Sequence, residues 1–184
     1  MNINIISSSV REGRNSHRVA MFFKKYIDDN KLADSEILDL KAYDFPLFEE
    51  RLQYMKNPTP QVLDFESKII SAEGVIIVTP EYNGGYPASL KNVVDLLYTQ
   101  WKKKPLAVAT VSDGSFGGTQ VITSILFSLW KIGAWVVPSM FPVPNVEKHY
   151  DEEGNAIDAE AIHKRAKVFV GELLWCMEAR RRME

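Results

Sequence analysis

Short apolar runs and stretches of helix-spaced apolar residues take turns along this chain. Ile3 to Ile6 is an apolar run interrupted only by Asn4, and it ends in Ser7-Ser8-Ser9, which predicts a first strand. Val19, Met21, Phe22, Phe23, Tyr26 and Ile27 then recur at near-helical spacing and predict a helix over 16–30. Ser35 to Leu40 alternates polar and apolar like an edge strand, and 41–57 is punctuated by Asp44, Pro46 and Asn57 and reads as irregular. Helical spacing resumes from Pro58 to Ser71, followed by the fully apolar strand Val75 to Val78 and a helix from about 87 to 100. Leu106 to Val111 predicts a fourth strand, and Gly114 to Gly118 opens a helix that runs to about Ile132. Trp135 to Val137 is the expected last strand, 138–157 a Pro-rich, acidic loop, and a final helix from about Asp158 carries an apolar stripe through Ile162, Ala166, Phe169, Val170, Leu173 and Met177.

Five strands alternating with five helices imply a three-layer α/β domain with a parallel sheet and right-handed crossovers. The order 2-1-3-4-5 of flavodoxin-like domains fits the length of 184 residues, which predicts a single domain over 1–184.

The net charge of -2 gives no basic footprint for nucleic acid. The single cysteine, Cys176, excludes a disulfide framework and a Cys-based metal site, and no His cluster suggests a metal. No apolar run approaches the ~20 residues that span a bilayer, and no basic segment leads into a hydrophobic one, so the expectation is a cytoplasmic protein without a membrane partner.

Ligands of open α/β sheets sit at the carboxyl ends of the strands. The segment from Thr79 to Asn92 lies there, leaving a buried strand through Pro80, Asn83, Gly84 and Gly85 before a helix begins. Amides freed by such a turn suit a flat ring with polar edges. The loop Ser7 to His17 joins the first strand to the first helix, where oriented N–H groups and the helix dipole favour a phosphate. Ser9, Ser16, Asn15 and Arg11 extend that donor set, although such residues also cap helices with no ligand present. The two loops together point to flavin mononucleotide.

Ser8-Ser9-Val10-Arg11 with Arg14-Asn15-Ser16, then Pro80-Glu81-Tyr82-Asn83 with Leu90-Lys91-Asn92, then Ser112 to Gly118, resemble the NAD(P)H-dependent FMN reductase family. The three motifs occur in order over residues 1 to about 130. Ser8 departs from the glycine usual in the family, and Arg14 stands where relatives often have a small hydroxyl residue. The resemblance implies a flavodoxin-like fold with bound FMN, NADPH or NADH as electron donor, and a quinone, free flavin, azo compound or metal oxyanion as acceptor. It also implies that Ser9, Arg11, Asn15, Ser16 and His17 hold the FMN phosphate. Pro80, Glu81, Tyr82 and Asn83 then border the ring near N5 and O4, and Ser112, Gly114 and Gly117 approach its pyrimidine side. No side chain need act as catalytic nucleophile. A homodimer or homotetramer is expected, with the aromatic residues Tyr82, Tyr86, Tyr98, Trp101 and Phe116 framing an acceptor or an interface. The alternative class is a flavodoxin-type electron carrier or a non-catalytic FMN-binding protein.

Lys102-Lys103-Lys104 reads as a solvated turn with a possible attraction for nicotinamide phosphates. Arg180 to Arg182 reads as a fraying terminus, and Cys176 as a small core residue.

Overall fold

A computed structural model describes residues 1–184. Strands β1 (Asn2–Ser7), β2 (Asp34–Asp39), β3 (Gly74–Pro80), β4 (Pro105–Val111) and β5 (Trp135–Val143) form one parallel sheet in the order β2-β1-β3-β4-β5. Helices α1 (Ser16–Asp29) and α6 (Ala159–Met183) cover one face, with Phe23, Phe141 and Phe169 at the centre of that core. The opposite face carries α3 (Pro60–Ser71), α4 (Ala88–Leu96) and α5 (Gln120–Lys131), whose Phe65, Val93 and Ile125 share a core with Ile77 and Val108 of the sheet. The central strands β3 and β4 are buried on both faces, which explains their unbroken apolar runs.

Four boundaries differ from those the pattern predicts, one of them the start of α5, which begins at Gln120 after turns over 113–119 and not at Gly114 to Gly118. β5 runs on to Val143, past Pro138 and Pro142. It is an edge strand bonded only to β4, so a proline's missing N–H can face away from the ladder, and a register shift between Leu106 and Val108 absorbs the extra residues around Pro138. A four-residue helix, α2 (Leu40–Tyr43), lies inside the segment expected to be irregular. Helix α4 stops at Leu96 rather than near 100, because the chain turns extended at Leu97 and the buried Trp101 folds back to donate from Nε1 to the Val94 carbonyl at 3.2 Å.

The lysine run also divides. Lys102 and Lys103 are exposed, but Lys104 is buried, and its ammonium donates to the Ile70 and Ala72 carbonyls at the end of α3. Burial, helped by the nearby Arg180 charge, pulls its pKa down to about 8. It precedes β4, at the end of the sheet opposite the loops that follow the strands' carboxyl ends, and it caps a helix. Arg180 to Arg182 do not fray: α6 continues to Met183, and Glu178 and Glu184 pair with these arginines.

Candidate functional site

The carboxyl ends of β1, β3 and β4 release three loops from a common rim. The ladder continues one residue into each of them. Ser8 N–H donates to Val78 O at 3.1 Å, Glu81 N–H to Val111 O at 3.1 Å, and Ser112 N–H to Val143 O at 3.0 Å. Beyond those residues the loops converge on a depression of about 100 Å³ lined by Ser9, Arg11, Gly13, Arg14, Asn15, Ser16, Pro80, Glu81, Tyr82, Val111, Ser112, Asp113 and Val146.

On the β1 side, helix α1 begins without a side-chain cap. The backbone N–H groups of Gly13, Arg14, Asn15, Ser16 and His17 donate to nothing within the protein. Free amides at the positive end of a 14-residue helix form an anion site. Its two arginines differ. Arg14 is committed: it forks onto both carboxylate oxygens of Asp39 at the end of β2, and it donates to the Ser9 carbonyl at 2.7 Å. Burial pushes the Asp39 carboxyl up, but the Arg14 fork and the Lys41 amide outweigh that and leave it below the usual range. Arg11 is exposed, has no carboxylate partner, and lies over the Tyr82 ring with its guanidinium carbon 5.7 Å from the centroid.

Ser8 is fully buried, and its hydroxyl has no partner, while its carbonyl accepts from Ser89 Oγ at 2.5 Å. Its φ is not positive, so this turn does not need the glycine seen in relatives. Ser8→Ala removes an unsatisfied group, and we expect a gain of about 1 kcal/mol in chemical denaturation with FMN affinity unchanged. A fall in affinity would show instead that this hydroxyl serves the ligand.

On the β3 side, Tyr82-Asn83-Gly84-Gly85 forms a tight turn. Tyr82 N–H donates to Gly85 O at 2.8 Å and Gly85 N–H to Tyr82 O at 3.0 Å. Asn83 and Gly84 have φ of 52° and 81°. Positive φ at both central positions defines a type I′ turn, which Asn-Gly favours. The amides of Asn83 and Gly84 remain free, whereas Pro80 has none and those of Glu81 and Tyr82 are engaged. On the β4 side the amides from Asp113 to Gly118 are free as donors, while Ser112 uses its N–H, its carbonyl and its hydroxyl inside the protein.

Eight of the twelve residues expected at the site line the depression: Ser9, Arg11, Asn15, Ser16, Pro80, Glu81, Tyr82 and Ser112. Asn83 and Gly114 lie on the adjoining rim with free amides. His17 keeps a free backbone N–H at the helix start, but its side chain turns elsewhere. Its Nδ1 is 2.9 Å from Ser7 Oγ, and burial, with the Arg14 charge beside it, lowers its pKa and favours the neutral ring. Asn15 donates one side-chain N–H to Glu147 at 2.9 Å, while its backbone N–H and the second proton of its side-chain amide are free. A Cβ at Gly117 would come within 3.0 Å of Pro142 Cβ and Val143 N, and its φ is +64°. That glycine therefore serves the close approach of its loop to β5.

Arg14, Asp39, Asp113 and Val146 were not distinguishable in the sequence, because their roles depend on strand ends brought together from distant positions. Asn92, part of the second motif, gains a role here. It donates to the Pro46 carbonyl at 2.7 Å and accepts from Phe48 N–H at 2.5 Å, clamping the loop after α2. A second cavity, about 520 Å³ by Tyr43, Asp64 and Lys68, lies on the flank of β2 and meets the β1 loop only through Asp39, the partner of Arg14. No group of three or more His, Cys, Asp and Glu gathers as a metal site, and no helix is long and apolar enough to cross a membrane.

A parallel sheet of this order, with free amides on three loops at one rim, defines a flavodoxin-like domain built for a phosphorylated ligand. The chain belongs to the NADPH-dependent FMN reductase family, which matches residues 1–148. It is 35% identical over 133 residues to the NAD(P)H-dependent FMN reductase LOT6 of Saccharomyces cerevisiae, covering 65% of this chain and 69% of that one. It is 28% identical over 139 residues to an NADPH azoreductase of Bacillus sp., covering 75% and 74%. Among solved structures, FerB, a flavoenzyme NAD(P)H:(acceptor) oxidoreductase from Paracoccus denitrificans, aligns with a TM-score of 0.77 over 96% of this chain and 97% of that one. Its 21% identity speaks for the fold. This protein is accordingly an NAD(P)H-dependent oxidoreductase with FMN as its cofactor. The unpaired amides fit that cofactor: one set suits a phosphate, the other two the polar edge of a ring.

Proposed function

We propose that FMN is held phosphate-first, with its phosphate on the free amides of Gly13 to His17, the hydroxyls of Ser9 and Ser16 and the charge of Arg11. An enclosed volume of about 100 Å³ falls well below the usual size of a pocket for a drug-sized ligand, so it takes the phosphate end while the ring lies over the open rim. The free amides of Asn83, Gly84 and the 113–118 loop face the polar ring edge and stabilise negative charge there as fixed dipoles. Bound in this way, FMN would supply the two-electron relay chemistry between NAD(P)H and an acceptor. The protein's part is to bind, to orient and to leave one face open. A quinone or an azo compound is the acceptor class supported by relatives, among them a quinone reductase of Pseudomonas putida, 39% identical over 80 residues, and the azoreductase above.

A homodimer is supported by an uncovered apolar strip on α5, where Phe127 and Trp130 are 65% and 69% exposed with ring centroids 5.8 Å apart. Phe116 begins the same segment and is 80% exposed. A cytoplasmic location agrees with a single unpaired cysteine, buried in α6.

The observation that carries this reading is the convergence of unpaired amides from three loops on one rim. Anaerobic mixing of the FMN-loaded protein with millimolar NADPH tests it. Bleaching of the flavin, and recovery of colour on adding a quinone, is the expected result; a spectrum that NADPH and NADH both leave unchanged contradicts the enzymatic reading.

A further inference from the structure

Tyr82 does more than border a ring. Its backbone sits at the base of the type I′ turn, and its side chain reaches back across the rim so that its hydroxyl is 2.7 Å from Ser9 Oγ on the phosphate loop. Ser9 is fully buried, and its Oγ also accepts from Arg11 N–H at 3.4 Å. A serine hydroxyl has one proton and two lone pairs. A phenol is the more acidic of two hydroxyls and hence the better donor, so Tyr82 donates to Ser9. With Arg11 N–H on the other lone pair, the single Ser9 proton is left for the depression that Ser9 lines.

We infer that Tyr82 is a positioning residue for the flavin phosphate: its hydroxyl orients Ser9 as a donor and joins the phosphate loop to the turn that meets the ring, so that the site selects phosphorylated flavin. This rests on the FMN placement proposed above. The chain of donors runs from Tyr82 to Ser9 to a phosphate oxygen, each bond polarising the next. Arg11 stacks over the Tyr82 ring and so shares the same support. Without the phenolic hydroxyl, the Ser9 proton has a second acceptor-free orientation and the turn loses its tie to the phosphate loop, while the free amides of Asn83 and Gly84 remain.

The test compares FMN with riboflavin, which lacks the phosphate, on full-length protein freed of flavin. Fluorescence titration of wild type, Tyr82→Phe, Ser9→Ala and the double variant should show wild type binding FMN more tightly than riboflavin. Tyr82→Phe should weaken FMN about fivefold or more and riboflavin less than twofold. The double variant should be no weaker than Ser9→Ala, since both changes break one chain. Equal losses for the two flavins, or losses that add in the double variant, overturn the inference while leaving the FMN site standing. Wild type that binds FMN no better than riboflavin overturns the phosphate site itself, and the inference with it. An unchanged urea midpoint for Tyr82→Phe assigns its loss to binding; a fall in the midpoint that accounts for the loss of both flavins counts against it.

Discussion

Arg11→Ala is expected to leave the fold intact and to loosen FMN. Arg11 is exposed and pairs with no carboxylate, so its removal should change stability by no more than about 0.5 kcal/mol. A charge-assisted contact to phosphate is worth roughly 1.5–3 kcal/mol, a rise in Kd of about ten- to a hundred-and-fifty-fold. Arg11→Lys should recover part of that loss, because it restores the charge but not the fork. Titration calorimetry with FMN and with riboflavin separates the phosphate contribution. An FMN affinity equal to wild type removes Arg11 from the site.

Asp39→Ala should have the opposite emphasis and a larger effect on the fold. It strands Arg14, whose side chain is 14% exposed beside a 21% exposed Asp39, and it removes the acceptor for Lys41 N–H at the start of α2. A fully buried pair loses about 3–5 kcal/mol when broken; this partly screened one should lose about 2–3 kcal/mol. The Ser9 carbonyl would lose its anchor as Arg14 relaxes, so FMN affinity should fall as well. The pH dependence has a definite sign. The folded pKa of Asp39 is lowered, so its contribution is fully present above the unfolded value near 4 and is lost as pH falls through the folded value. The gap between wild type and variant in urea denaturation should therefore be widest at neutral pH and close under acid conditions. A gap that stays constant into acid would show that the charge of Asp39 is not what matters.

The contrast between these arginines marks where sequence reading reaches its limit. Both stand in one loop, three residues apart; Arg11 reads as a phosphate ligand, whereas Arg14 reads only as a departure from the small hydroxyl residue of relatives. Only the fold brings the end of β2 beside the end of β1, and that register delivers Asp39 to Arg14 while leaving Arg11 free. The central strands were legible because strands buried on both faces write unbroken apolar runs, as at Val75 to Val78, and the sheet order followed from the flavodoxin-like alternation of strands and helices. The full length of β5 was not, because Pro138 and Pro142 mimic a loop and are tolerated only at an edge that pattern cannot locate.

At the site, the motifs locate the loops but not the state of each amide. Pro80 to Asn83 read as one ring-facing run, yet three of those four residues offer no free N–H, and Asn83 does so because positive φ puts it at the tip of a turn. The resemblance implies His17 as a phosphate ligand; a serine ten residues earlier takes its Nδ1, which leaves its backbone N–H for that role. Hydrogen bonds that close within the protein are invisible to residue type. They decide which of several plausible donors remains available.

Free amides on three loops of one rim are the basis of the whole account, and amide-resolved NMR during FMN titration reads them directly. The account predicts large shifts at Asn15 and Ser16, at Asn83 and Gly84, and through Asp113 to Phe116, with the slot by Tyr43 and Lys68 silent. Shifts confined to that slot, or to one loop alone, would contradict it.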